Sequence, residues 1–393
     1  MPPLTFPLRN PQSPGMPDEQ EQVEGQQAKS STLPCGQCGA ELEFKPGQGT
    51  LKCQYCGHSQ VITFPAGAAV VEYDLTDAMA RYLGKTAAPP PSGVRQIKCQ
   101  ECSAEIMVPA GEETARCDYC GSRKTLQVEM PAEVLRPACV LPFRFESANA
   151  EDKFRTWLKG LWFRPNALKS RHMVEELNGL YAPYWTFDSQ VSSWWTAQRG
   201  DYYYVTEHYR GSDGKSHSKQ VRKTRWTWAS GSRRDAFDDW LVCASAQLRQ
   251  RLAGLVHEIE PFPTKEVVPF DEKFLAGFRA ERYSVDLKQG WDIARDGIYS
   301  EVTARCGRDV GGDTHRNLDV RSSFFGQSFK LTLLPLFVLA YRYNNKVFNV
   351  LINGATGEVQ GQAPYSWVKI TLLILGILAA CGAAYGLYAA FGR

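Results

Sequence analysis

The chain has 393 residues, 43% of them hydrophobic and 12% aromatic, which excludes wholesale disorder and a single small disulfide-stapled module. Its formal charge of +3 counts all twelve cysteines as neutral. Eight thiolates on two Zn²⁺ ions bring it to roughly −1, so bulk charge gives no reason to expect nucleic acid.

Residues 1–32 are rich in Pro, Gln, Glu and Ser and have no apolar stretch. They cannot offset their chain entropy by burial and are read as a disordered tail, not a secretory signal. An internal repeat follows. Cys35-Gly-Gln-Cys38 precedes Cys53-Gln-Tyr-Cys56, and Cys99-Gln-Glu-Cys102 precedes Cys117-Asp-Tyr-Cys120. Both copies read C-x2-C-x14-C-x2-C, and each cysteine of the first recurs 64 positions later. Two residues between cysteines let a tight turn aim both sulfurs at one point, and two such turns on a hairpin supply four tetrahedral ligands.

Residues 33–64 and 96–130 are therefore expected to be zinc ribbons. Their ligands are Cys35, Cys38, Cys53 and Cys56, then Cys99, Cys102, Cys117 and Cys120, with two Zn²⁺ per chain. Four protein ligands leave no open position, so the sites are structural and not catalytic. Disulfides are the competing reading, and a reducing cytoplasm argues against them. His58 is read as solvated, and Cys139, Cys243, Cys306 and Cys381 as ordinary packing cysteines. Acids balance the Lys and Arg within both repeats, which disfavours a phosphate-binding face.

Residues 65–95 form a linker, with a short helix over Asp74–Gly84 capped by Asp74 and a Pro-rich spacer at Ala87–Gly93. Residues 131–365 are expected to be an α+β domain with an antiparallel sheet. Asn149–Trp162 reads as a helix, Leu180–Ser193 as a strand, and Asp201–Arg210 with His217–Trp228 as a long hairpin. Asp235–Leu252 and Phe274–Ile298 read as helices, with Asp235, Asp238 and Asp239 capping the first. Leu331–Tyr343 is a strand interrupted by Pro335. Asn344-Asn345 and Asn353-Gly354 then turn a β-meander through Lys346–Ile352 and Gly357–Gln360.

Eight Lys/Arg lie between Arg210 and Arg234 against Asp213 alone. Three readings stay open: a solvated hairpin tip, contact with anionic lipid head groups, or nucleic acid stacked on Trp226 and Trp228. The two Trp residues are read as facing the core, which weighs against the last. Gly214-Lys215-Ser216 lacks the glycine that a phosphate loop needs, since position 209 is Tyr209. No catalytic motif is found, and the chain is expected not to be an enzyme.

From Ile370 to Gly392 there are 23 residues without a charge, bracketed by Lys369 and Arg393. As a helix they reach roughly 34 Å, enough to cross a hydrocarbon core. Residues 367–392 are thus read as a single transmembrane helix of a tail-anchored protein, with the bulk of the chain cytoplasmic. Gly382-Ala-Ala-Tyr-Gly386 would let two such helices approach as a homo-oligomer, although small residues are common in membrane helices anyway.

The double ribbon, Tyr181-Ala-Pro-Tyr-Trp185-Thr-Phe-Asp188, Phe237-Asp-Asp239, Leu275-Ala-Gly-Phe278 with Glu281 and Tyr283, Leu333-Leu-Pro335, Asn353-Gly-Ala-Thr-Gly357 and the last apolar helix occur in that order. Over roughly residues 33–392 the chain resembles a YdjG-like group of bacterial proteins with two TFIIB-type zinc ribbons and one C-terminal membrane pass. The group often carries a transferred primosomal helicase label, which the missing ATP-binding motifs do not support. The resemblance implies a membrane adaptor that brings SPFH-domain or PspA-type partners to the cell membrane in a membrane stress system of the phage-shock type. The alternative is a nucleic-acid-associated zinc-ribbon protein of the replication or transcription type.

Overall fold

The computed structural model describes residues 33–63, 69–82, 94–109, 116–128, 135–165, 177–210, 212, 214–344 and 346–391. The tail 1–32, the Pro-rich spacer and parts of the turns at 211–214 and 344–345 lie outside the described residues.

The first four-cysteine module is a small antiparallel sheet of β1 (Leu42–Lys45), β2 (Thr50–Cys53) and β3 (Ser59–Val61). Leu42, Phe44 and Leu51 alternate onto its buried face. The module docks through β1: Phe44 packs edge-on against Phe274 at 5.2 Å, and its backbone N–H donates to the Ala276 carbonyl at 3.0 Å. After β4 (Tyr73–Asp74), α1 (Leu75–Tyr82) begins where Asp74 accepts from the Asp77 N–H at 2.8 Å, as the capping signal predicts.

The second module, β5 (Val94–Cys99), β6 (Glu105–Pro109) and β7 (Thr125–Val128), belongs to a twelve-stranded sheet. Next come β8 (Cys139–Val140) and α2 (Ser147–Gly160), which buries Ala150, Phe154 and Leu158. The body of the sheet is built on two long strands, β9 (Asn178–Arg210) and β10 (Ser216–Cys243). Two short helices, α3 (Ala246–Arg251) and α4 (Ala253–Ile259), precede β11 (Val268–Pro269) and β12 (Arg279–Glu281). The chain continues through α5 (Leu287–Asp309), a third long strand β13 (Thr314–Tyr343), β14 (Lys346–Asn353) and β15 (Val359–Gly361). It ends in α6 (Trp367–Phe391).

The upper sheet is a three-stranded blade in the order β10-β9-β13, all antiparallel. The whole is a mixed α and β fold whose sheet is mainly antiparallel, with short parallel pairings of β12 to β9 and of β13 to β8. α5 crosses one face of the blade, where Val191, Trp195, Phe237 and Val320 meet Ile298, Val302 and Cys306. Gly290 and Gly297 let it approach: a Cβ on Gly290 would lie 2.6 Å from the Trp185 ring, and one on Gly297 2.9 Å from Trp240.

Two expected helices are corrected. Asp235–Cys243 continues β10, because Phe237 and Val242 find partners on the sheet, and only Ala246–Arg251 is helical within the remaining stretch. Residues 274–286 form a short 3-10 turn and β12, and the helix starts later, where Asp286 accepts from the Gln289 N–H at 2.8 Å. Pro335 does not interrupt its strand. Its carbonyl accepts from Gly354, so its missing N–H faces the gap between β8 and β14, where no ladder bond is lost. Asn353 makes the expected turn by accepting from the Ala355 and Thr356 N–H groups at 2.9 and 3.0 Å.

Past the half-buried Lys369 and Ile370 at its root, α6 is exposed as far as Tyr388, and Trp367–Tyr388 has a mean hydropathy of 2.2. Its root is held by Lys369, which donates to the Trp162 and Arg164 carbonyls at 3.1 and 2.9 Å.

Candidate metal centres

Cys35, Cys38, Cys53 and Cys56 converge at one point, and Cys99, Cys102, Cys117 and Cys120 at another, with all ligand atoms of a group within 4.8 Å. Four turns of one design place them. The N–H of the residue after each second cysteine or pair end donates to the carbonyl four residues back: Gly39 to Cys35, Gly57 to Cys53, Ser103 to Cys99 and Gly121 to Cys117, at 2.8–3.1 Å. This closure requires a positive φ, which three glycines supply; Ser103 adopts it at 60°.

The sulfurs are spaced for a shared ion. Cys35 and Cys56 are 3.6 Å apart, Cys38 and Cys53 3.5 Å, Cys99 and Cys120 3.6 Å, and Cys102 and Cys117 3.4 Å. Bonded cystine sulfurs sit at about 2.05 Å. A tetrahedron with metal–sulfur bonds of about 2.3 Å has edges of roughly 3.8 Å. Both quartets fit a four-thiolate ion of that size. Backbone N–H groups favour the thiolates: the Cys56 N–H heads the causes that hold Cys53 down to about 6, and the Gln37 N–H does the same for Cys35 in direction. The first site is open at its rim, with Cys38 and Cys56 exposed, whereas Cys99, Cys102 and Cys117 of the second are buried.

The second site is clamped to the sheet by the residues between its last two ligands. Asp118 pairs with Arg279, and Tyr119 donates to the Glu281 carboxyl. Glu281 also accepts from Ser245 at 2.7 Å, the residue that caps α3. Burial pushes Glu281 up to about 7, against the lowering effect of these two hydrogen bonds. Its protonation therefore stabilises the fold fully below the ordinary glutamate range, and that contribution is lost as pH rises through about 7. At ~1.4 kcal/mol per unit the amount is about 3 kcal/mol. Glu281→Gln should remove this dependence: thermal melts of the two proteins should diverge between pH 5 and 8, with the variant gaining on the wild type as pH rises.

A third group joins Asp188, Asp238 and Asp239. The expected helix-capping role is corrected, because Asp238 and Asp239 sit in a bulge of β10, with Asp239 at φ 54°. The Asp239 N–H donates to Asp188 at 2.7 Å, and Lys330 pairs with Asp239 and Glu72, each at 2.7 Å. Asp235 lies apart, paired with Arg233 and Arg305; its carboxyl is lowered to about 2, first by Arg233. The partners of Glu72, Asp188, Glu281 and Lys330 lie up to 258 residues away, so no local pattern in the sequence pairs them.

Known proteins add one likeness. "Uncharacterized protein YdjG" of Bacillus subtilis (strain 168) is 27% identical over 262 residues, 62% of this chain and 68% of that protein. No family model matches the chain, and no solved structure matches it.

Proposed function

We propose that the chain is a non-enzymatic, tail-anchored adaptor of the cell membrane. Its two quartets are zinc ribbons holding two structural Zn²⁺, and α6 is the membrane span. The bulk of the chain lies in the cytoplasm and recruits protein partners. By the resemblance those partners are SPFH-domain or PspA-type proteins, acting in a phage-shock-type membrane stress system. The observation that carries this reading is the pair of four-cysteine sites, one in its own small sheet and one in the large sheet, in a chain that continues into an exposed apolar helix. Closed sites hold structure and leave no position for a substrate. The segment Trp367–Tyr388 has Lys369 as its one charge, is rooted through that lysine, is otherwise unburied, and suits lipid.

Fractionation of cells and a pull-down test both halves. The full chain should stay with membranes through a high-salt wash, and a chain ending before Trp367 should be released. From detergent extracts, the full chain should capture an SPFH-domain or PspA-type protein, and a chain lacking the first module should lose it. Release by salt alone would refute the anchor. Unchanged capture without the first module would refute its recruiting role.

A further inference from the structure

The two faces of the blade differ in chemistry. On β9 and β10 the pairing register puts even-numbered residues of both strands on one face up to Phe237. α5 covers the opposite face along Val191–Ala197 of β9, and beyond it both faces of the arm are open, whereas the even face is open along its whole length. That open face carries Trp194, Tyr202, Tyr204, Trp226, Trp228 and, from β13, Phe325. Trp228 is 77% exposed, Tyr204 65% and Trp194 49%. The expectation that Trp226 and Trp228 face the core is thereby corrected: they do share a face, but it is the uncovered one.

Its charges are five arginines, Arg210, Arg222, Arg234, Arg316 and Arg321, against Asp319. Arg222 lies 4.2 Å over the Tyr202 ring and Arg316 4.1 Å over Trp226. Among its described residues the remainder are mostly Ser, Thr and Gln, with no Lys and no Glu, and with Ala236 as the one aliphatic side chain. The lysines and acids of the arm fall on the other face, where Lys223 pairs with Glu207 at 2.9 Å.

We propose that this open face binds single-stranded nucleic acid. Flat exposed rings offer sequence-tolerant stacking platforms, and a guanidinium laid on a ring is held in place with its N–H edge free for phosphate. The charge imbalance complements a polyanion. The membrane that α6 would enter is a poor occupant. α6 is rooted near Asn349, which pairs with Ala340 at the other end of β13, and at about 3.3 Å per residue the face begins roughly 50 Å further along the strands. This inference rests on the blade alone and stands or falls independently of the adaptor reading.

The test uses the full-length protein in detergent with a fluorescently labelled 30-nucleotide oligothymidylate, titrated by anisotropy over a salt series. Binding should weaken steeply with salt. Trp228→Ala and Tyr204→Ala should each lower affinity about 5- to 100-fold while leaving the salt slope unchanged. Arg222→Gln with Arg316→Gln should flatten the slope by about 1.4. All four positions are exposed on the surface, and metal content and melting temperature check that the variants remain folded. The proposal is overturned if no binding occurs at low salt, or if the aromatic variants bind as well as the wild type. It is equally overturned if vesicles of phosphatidylglycerol are bound in place of the oligonucleotide, or if Trp228→Ala instead dissociates an oligomer of this chain.

Discussion

Cys117→Ser should remove one metal ion per chain and loosen the lower end of the large sheet, whereas Cys38→Ser should remove one ion and leave that sheet intact. The asymmetry follows from placement. Cys117 is buried, and its module enters the sheet through β6, which pairs with β12, which in turn pairs with Leu180 and Tyr181 of β9. The Asp118–Arg279 pair and the Tyr119–Glu281 hydrogen bond hang on the same turn. Structural zinc contributes about 10–16 kcal/mol of apparent binding free energy in isolated fingers, so its loss is not absorbed locally. Cys38 is exposed in a module with its own three strands, which shares no strand with the large sheet and meets the body through side chains such as Phe44 and Leu42, the Lys45–Glu146 pair and a few backbone bonds. Hydrogen exchange with metal analysis checks this. Amide protection in β5, β6 and β12 should collapse in Cys117→Ser alone. Equal protection in both variants would contradict the coupling of metal to sheet.

Lys330→Ala should cost about 3–5 kcal/mol, the penalty for leaving the largely buried Asp239 carboxylate without its cation. Only 7% of the lysine side chain is exposed, and Asp239 is 13% exposed. Burial disfavours the lysine charge, but the carboxylates of Asp239 and Glu72 outweigh it and hold its pKa above the ordinary value. Asp188, beside them, is already raised by burial. Without the ammonium, Asp188 on β9 and Asp239 in the β10 bulge would lie side by side without that cation. Adding Asp239→Asn to Lys330→Ala should recover part of the loss. Thermal melts of the single and double variants check the coupling; a single variant as stable as the wild type would show that the pair contributes nothing.

The features legible in the sequence are those encoded locally. The cysteine quartets follow from spacing within one hairpin, α1 from the Asp74 cap, and the last turn from Asn353. The apolar helix needs only composition. Features set by distant residues were not legible. Asp235–Cys243 has residues acceptable to a helix or a strand, and pairing with Tyr184–Val191 decides it. Alternation placed Trp226 and Trp228 on one face, but α5, some sixty positions later, determines which face is covered. The Lys330 and Glu281 clusters draw on residues 258 and 162 positions apart. No local pattern announces them.

The most direct measurement is the zinc-to-chain ratio and free-thiol count of full-length protein extracted from membranes in detergent under anaerobic conditions. Two zinc ions per chain, with eight of the twelve thiols reacting in the unfolded protein only once the metal has been chelated, is the predicted result. Protein without metal, or with cystines linking the eight cysteines, would contradict the account.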